Sequence, residues 1–297
     1  MKNNKKIRYS MMNFMVRYGN WVPDNIYLKL YSRLRTGKSV NLKKPKSFND
    51  KINWIKLYDR KPIMTICADK LKVREFVKEK IGEDVLVPLL WYGDNPQEIP
   101  FEKFPNSFVL KTNNASGTNI IVNDKGSMDK AKVVEQLSTW LSQDFYHPKR
   151  EWVYKDIPPK IICESFLEQD DDKELRDYRF FCFNGVPKFI SVDFSITDKS
   201  KTRRNLYDLE WNLMDAEISY PRELNMKLKK PEKLEEMIEL SKKLAEGFPH
   251  VRIDFYYINK KILFGEMTFY HQSGLGEFRP QEFGDTLGGW LHLPNNS

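Results

Sequence analysis

Cysteine is scarce in this chain: 297 residues hold three, Cys67, Cys163 and Cys182. They lie far apart and none has a close partner, so neither a disulfide framework nor a zinc site is expected. A reducing cytoplasm suits them best. Histidine numbers only four. His250 and His271 lack metal-ligand spacing, and no serine or cysteine stands in a recognisable nucleophile motif, so both are read as structural groups. No apolar run approaches the roughly 20 residues of a membrane span. The start, Met1-Lys2-Asn3-Asn4-Lys5-Lys6, is basic, but Arg8, Asn13, Arg17 and Asn20 interrupt the apolar residues after it, which makes a poor signal peptide. The chain has no internal repeat.

Charge and aromatic residues are plentiful. The chain is 40% hydrophobic, 30% charged and 13% aromatic. That supports a substantial core in one large domain or two smaller ones, and excludes disorder. The net charge is +8 at pH 7, and the pI is about 9.1. Such an excess suits an anionic partner: nucleotide, nucleic acid, anionic glycan or membrane surface. From Met1 to Lys44 the only acid is Asp24. Met11, Met12, Phe14, Met15 and Val16, then Ile26, Tyr27, Leu28, Leu30, Tyr31 and Leu34, predict short amphipathic helices. Pro23 and Asp24 suit the start of the second. This basic region either touches phospholipid or an anionic polymer, or is a helical extension packed on the main domain. The second reading is preferred.

Helices are expected from Ser47 through Leu57, Ala68 to Ile81, Lys130 to Phe145 and Pro231 to Glu246. Strands are expected at Phe108–Lys111, Asn119–Val122, Lys160–Phe166, Arg179–Phe183 and Lys188–Val192. Asn184-Gly185 marks a hairpin turn. The mixture points to an α+β or α/β fold with antiparallel pairs in the C-terminal half.

The most telling segment runs from His250 to Thr268 and reads as two strands joined by a tight turn. Alternation puts Arg252, Asp254 and Tyr256 on one face of the first strand, and Phe264, Glu266 and Thr268 on one face of the second. A hairpin then brings Asp254 and Glu266 together. Two such carboxylates repel unless a proton or a cation relieves them. Mg²⁺ held by one or two carboxylates and substrate phosphates is a common solution; a half-exposed hairpin with scattered charges is the plain alternative.

Other segments carry possible chemistry. The strand Phe108-Val109-Leu110-Lys111 ends in a lysine, and Thr112 to Thr118 form a small-residue connection after it. Its N–H groups can close on phosphate oxygens, although it is not a Walker A loop and can equally be a plain turn. Ile161 to Glu168 can offer backbone groups to an adenine edge and a carboxylate to a ribose, or be an ordinary core strand. Arg179 can face phosphate or pair with Asp177. The basic run Lys201-Thr202-Arg203-Arg204-Asn205 is either part of a clamp for an anion or a surface loop. The acidic run from Gln169 to Glu174 reads as solvated.

Taken in order, these pieces resemble the ATP-grasp superfamily, and within it the family related to teichuronopeptide-biosynthesis proteins of cell-envelope polysaccharide synthesis. The resemblance covers about Lys44 to Gly289. It rests on Pro45-Lys46-Ser47-Phe48-Asn49-Asp50-Lys51, Ala68-Asp69-Lys70, Phe108 to Val122, Ile161 to Leu167, Asp177 to Gly185 and Arg252 to Thr268. It implies an ATP-grasp fold in which ATP lies between two α+β subdomains, 96–163 and 164–297, preceded by a basic helical region, 1–95. Lys70, Lys111 and Arg179 would face the phosphates. Ser116 and Gly117 would lie in the loop that covers them. Glu164, Ser165, Phe166 and Leu167 would line the adenine pocket, and Glu168 would reach the ribose. Asp254 and Glu266 would bind Mg²⁺, with Thr268 at a third position where many relatives place asparagine. Arg252 and Lys111 would act catalytically on the phosphoryl group in transit.

The implied activity is an ATP- and Mg-dependent carboxylate–amine ligase that works through an acyl phosphate on an envelope glycan or its precursor. The expected place is the cytoplasm, with a peripheral contact at the inner face of the membrane through the basic N-terminus as the less favoured alternative; nucleic acid is not an expected partner. Two rivals remain: a glycosyltransferase using Asp170-Asp171-Asp172 for its metal, and a non-catalytic nucleotide-binding module.

Overall fold

The computed structural model describes residues 2–168, 175–194 and 202–294. The acidic run from Gln169 to Glu174, with its aspartate triplet, and Lys201 lie outside the described residues. Five helices come first: α1 (Lys2–Tyr18), α2 (Asp24–Thr36), α3 (Phe48–Tyr58), α4 (Pro62–Ala68) and α5 (Val73–Ile81). Helix α2 begins directly after Pro23 and stops at Gly37, whose φ of 86° allows its N–H to close on Arg33 O. Ser47 and Asp50 form a reciprocal capping box at the start of α3.

The helix expected from Ala68 to Ile81 is broken near its start: Ala68 closes α4, and α5 begins only at Val73. Asp69 interrupts it, because its carboxylate accepts from the N–H groups of Leu71 and Lys72 and so competes with the helical ladder. The break is latched to the strand region. Asn113 donates to Asp69, and the Lys70 N–H donates to Asn113 O. Lys70 is thereby held at a corner instead of along a helix.

A small antiparallel sheet comes next. Strands β1 (Leu89–Gly93), β2 (Phe108–Thr112), β3 (Asn119–Val122) and β4 (Ile161–Ser165) lie in the order β1-β4-β2-β3. Helix α6 (Lys130–Leu141) sets Val133 and Leu137 into the core beneath it, with Val134, Trp140 and Leu141 partly covered. The remaining elements are β5 (Asp177–Phe183), β6 (Val186–Phe194), β7 (Arg203–Tyr207), β8 (Glu217–Ile218), α7 (Leu234–Ala245), β9 (His250–Ile258), β10 (Lys261–Thr268), β11 (Phe278–Arg279) and α8 (Gln281–Trp290). Five of these strands make a larger antiparallel sheet, β10-β9-β5-β6-β7, and β8 pairs with β11. Two turns at positive φ close its hairpins, Asn184-Gly185 and Asn259-Lys260.

The larger sheet is covered on both faces, so its central strands read as nearly unbroken apolar runs instead of alternating ones. Phe180 to Phe183 are all buried. Helix α7 packs on one face. On the other, Phe48 of α3 and Phe283 and Trp290 of α8 meet Phe183, Phe189 and His250. Gly288 makes this approach possible: a Cβ there would stand 2.1 Å from Lys46 O. The α3–α8 cover reaches only part of the sheet, and the uncovered part carries the site. Arg203 to Asn205, which the sequence leaves open as a surface loop, is the edge strand β7 of this sheet.

Candidate functional site

Sheet register assembles a row of charge across all five strands of the larger sheet. Arg204 on β7 pairs with Asp193 on β6; Arg179 on β5 pairs with Asp254 on β9; Asp254 pairs with Glu266 on β10. Asp193 and Arg179 are diagonal neighbours, and they make an ion pair. Arg204 grips Asp193 with two bonds of 2.6 and 2.7 Å. Arg179 also donates to Asp177 at 2.7 Å and stands 3.6 Å from Asp254. Arg252 holds both oxygens of Asp254, at 2.7 and 2.5 Å, and one oxygen of Glu266 at 2.8 Å. The Thr268 hydroxyl donates to the same Glu266 oxygen at 3.3 Å.

The expected convergence of Asp254 and Glu266 is present, but one detail of the alternation is corrected. A bulge at Gly265 shifts the register, so Phe264 pairs with Phe255 and enters the core, while Glu266 stays opposite Asp254. Phe264 and Glu266 therefore do not share a face. The close packing at Gly265, where a Cβ would come 3.0 Å from Asp254 O, suits the one residue without that atom.

Lys70 links the two sheets. Its Nζ donates to Ala115 O in the β2–β3 connection and lies 3.9 Å from Glu266 on β10. The Thr112 and Thr118 hydroxyls close the base of that connection at 2.7 Å. Its exposed tip is Ser116 and Gly117, with Gly117 at φ 77°. On the small sheet, Lys111 contacts Glu164 at 2.6 Å, and Arg74 of α5 contacts the other oxygen at 3.3 Å. Glu164 is thus a buried carboxylate between two cations. Ser165 donates its N–H to Pro88 O. Phe166 and Leu167 are half-buried, and Glu168 is exposed.

A polar cavity of about 430 Å³ lies against the charge row, walled by Arg179, Arg204, Arg252, Glu266, Thr268 and His271, with Ser116 and Lys149 at its border. The structure brings Lys70, Ser116, Arg179, Arg252, Asp254, Glu266 and Thr268 around or next to this cavity. Lys111 and Glu164 to Glu168 belong to the small-sheet side, reached through Lys70.

Several site residues escape sequence reading. Asp193 and Arg204 become neighbours only through strand register. Arg74 reaches Glu164 from a helix ninety residues away in sequence. His271, read from sequence as merely structural, forms the cavity wall and accepts from Arg252 at 3.1 Å. It sits on a turn whose next three residues, Gln272, Ser273 and Gly274, all have positive φ. That costly backbone is held by α3. Asn53 donates to Gly274 O, and the buried Lys56 ammonium donates to Ser273 O, Ser273 Oγ and Lys149 O. Burial pulls the Lys56 pKa down to about 7.

The row sets its own protonation. Burial pushes Asp254 up to about 6, against the pull of Arg252 and Arg179. Glu266 shifts the other way: burial acts upward, but Lys70, Arg252 and Arg179 together outweigh it and hold the carboxyl below its usual range. Asp193 is likewise desolvated, yet Arg204 and Arg179 hold it down at about 2. Burial lowers Lys70 and is partly offset by Glu266.

Two buried histidines give the fold a pH signature. His250 donates from Nδ1 to Cys182 O at 2.9 Å, and burial drives its pKa down to about 3. Burial, then Arg252, hold His271 well below its ordinary value. The unfolded chain binds both protons as pH falls through about 6.5, whereas the native state does not, so stability is full above that pH and lost below it. His250 accounts for about 2 kcal/mol between pH 7 and 5, His271 acts in the same direction, and Asp254, raised in the native state, returns about 1 kcal/mol with opposite sign. Urea titrations are expected to show a net loss of stability over that interval, with a shallower slope in His271→Gln. Equal slopes in the two proteins would rule out a neutral native His271.

The donors near the cavity are hard oxygens: two carboxylates at paired positions and one hydroxyl. Among the described residues, no group of three or more His, Cys, Asp and Glu side chains converges as a cluster that could hold a metal ion. Such a set fits a cation that brings phosphate ligands with it, not one caged wholly by protein.

Two antiparallel sheets bridged by a lysine, with paired carboxylates on the larger one, place the chain in the ATP-grasp fold class. A family model described as TupA-like ATPgrasp matches residues 50–292, and the chain belongs to that family. Among solved structures, D-alanine–D-alanine ligase of Bacillus anthracis complexed with ATP is 16% identical, with a TM-score of 0.39 over 69% of this chain and 55% of that one. The corresponding ligase of Helicobacter pylori is 14% identical, with a TM-score of 0.40 over 77% of this chain and 64% of that one. A RimK domain protein ATP-grasp from Sphaerobacter thermophilus is 10% identical, with a TM-score of 0.43 over 79% of this chain and 70% of that one. The chain thus matches less than two thirds of either D-alanine–D-alanine ligase. No curated protein sequence matches it.

Proposed function

We propose that this protein is an ATP- and Mg-dependent carboxylate–amine ligase acting on a cell-envelope polysaccharide or its precursor through an acyl phosphate. Family membership supports the reaction class. The observation that carries it is the meeting of Arg252, Arg179 and Lys70 with Asp254 and Glu266 at one polar cavity. The envelope substrate rests on family analogy alone.

In this reading ATP lies between subdomains 96–163 and 164–297, after the basic helical region 1–95. Glu164 to Leu167 line the adenine pocket, Glu168 reaches the ribose, and Lys70, Lys111 and Arg179 face phosphate. Asp254 and Glu266 hold Mg²⁺, with the Thr268 oxygen beside them. When bound, the ion neutralises charge on the phosphates. Glu266 is the accessible donor, with its side chain 32% exposed. Asp254 has both oxygens on Arg252, so Arg252 must loosen its grip for Asp254 to take part. A guanidinium released there is placed to meet the phosphoryl group instead. The substrate carboxylate attacks the γ-phosphorus as ADP leaves; an amine then attacks the acyl carbon and phosphate departs. Ser116 and Gly117, at an exposed loop tip, close over the site and keep water from the acyl phosphate.

Thermal unfolding tests the nucleotide. Mg-ATP at about a hundred times its dissociation constant is expected to stabilise the protein by about 2.7 kcal/mol. The gain should need Mg²⁺, and UDP-sugars should give none. A shift with UDP-sugars alone would transfer the protein to the glycosyltransferase reading. A shift with ATP but no ADP release with any carboxylate and amine would leave a binding module.

A ligase for an envelope precursor held at the inner leaflet would gain from a membrane contact. The basic helical pair at the N-terminus is the surface on which to look for one.

A further inference from the structure

The protein's whole positive excess lies in its first 46 residues. They contain twelve of the 49 lysines and arginines and one of the 41 acids, so residues 47–297 together carry a net −3. The one acid, Asp24, is already paired with Arg60 and Arg150. Lys6, Arg17, Arg33, Arg35 and Lys38 of the helical pair and its end are exposed.

Helix α1 has apolar side chains on two sides. Met12, Met15 and Val16 pack with Tyr27 and Tyr31 of α2. Ile7, Met11, Phe14 and Tyr18 recur at i, i+4, i+7 and i+11, which makes a second stripe on another side. Each is more than half exposed, Phe14 at 67%. Trp21, in the turn to α2, is 83% exposed, and Leu30 of α2 is 48% exposed. Met11, Phe14, Tyr18, Trp21 and Leu30 line one open groove of about 960 Å³, which Arg8 and Arg33 also line. A surface that is only solvated has no use for so many large apolar groups in one place.

We propose that α1, the turn at Trp21 and α2 form a docking surface for an anionic phospholipid bilayer. The stripe enters the boundary between headgroups and acyl chains, where Tyr18 and Trp21 present an apolar body and a polar tip. The lysines and arginines face lipid phosphate, and each adds to the attraction. A soluble polyanion would meet the charges but leave the stripe in water. A second copy of the chain would cover the stripe but set two strongly basic surfaces against each other. Only a surface that is both anionic and apolar below its charges meets both features.

The test is co-flotation of the full chain with vesicles of phosphatidylcholine alone or with added phosphatidylglycerol, at low and high salt. Wild type is expected to bind the anionic vesicles about tenfold or more tightly than the neutral ones, and less tightly as salt rises. Phe14→Ser/Trp21→Ser is expected to lose about tenfold in binding while melting as the wild type does, since both side chains are mainly in water. Should the double variant unfold, Trp21→Ser alone carries the same comparison. Failure of the wild type to float with anionic vesicles overturns the proposal. So does equal binding by wild type and variant, which would mean that charge alone acts, as it would towards a polyanion. A dimer seen by light scattering and broken by the variant would assign the groove to a second copy and overturn it too.

Discussion

Glu266→Gln is expected to lower Mg-dependent ATP turnover by about a hundredfold or more, while shifting the melting temperature by no more than about 3 °C. The two halves of this expectation have different causes. Glutamine keeps the shape of the side chain and an oxygen that can accept from Arg252 and Thr268. Arg252 retains both oxygens of Asp254 and its bond to His271, and Lys70 retains Ala115 O. No buried ion is left alone, so the fold loses little. Function loses much, because the substitution removes the most exposed carboxylate of the row, one that its cationic neighbours hold anionic. ADP release is the activity readout, and thermal unfolding the structural one. Undiminished turnover in a folded variant would remove Glu266 from the metal site and with it the main support for the proposed mechanism.

Asp193→Ala should behave in the opposite way, with a loss of stability of about 3–5 kcal/mol as its primary effect. Asp193 is the counter-ion of two arginines at once, Arg204 and Arg179, and it and Arg204 are each 5% exposed. Truncation leaves the Arg204 guanidinium in the sheet with Ile218 O and the Tyr220 ring as its neighbours of suitable polarity among the described residues. Its pKa of about 2 defines the pH sign. The carboxylate's contribution is complete above the unfolded value near 4 and is lost as pH falls through about 2. Chemical denaturation at neutral pH measures the loss. Asp193→Leu/Arg204→Met, which removes both charges, is expected to recover most of it. A loss below about 1 kcal/mol in the single variant would mean that water reaches Arg204 freely, as it does at exposed pairs.

Much of the site can be read from local pattern. Arg252 and Asp254 share a face because a strand alternates, and the His250–Thr268 hairpin is legible because Asn259 and Lys260 separate two β-rich runs. The Asn184-Gly185 turn and the inward face of α6 arise from equally short-range chemistry. Asp69 shows where this stops. Its neighbours have helical periodicity, and nothing in that periodicity announces that its carboxylate will take the N–H groups of Leu71 and Lys72. The Gly265 bulge is similar: strict alternation carries Phe264 to the wrong face, because one inserted residue reverses every side chain beyond it.

Composition and short-range periodicity are enough to specify a large mixed core, free cysteines, a basic N-terminal region and two carboxylates able to meet on a hairpin. Each of these needs only a few neighbouring residues and the fixed repeats of helix and strand. The assembly of Asp193, Arg179, Arg204, Asp254 and Glu266 into one row came from the folded chain alone, as did the link that Lys70 makes between the two sheets and the place of His271 in the cavity wall. Those pairings depend on register between strands far apart in the chain and on burial, which sets whether a charge is solvated or must find a partner. No local rule contains either quantity.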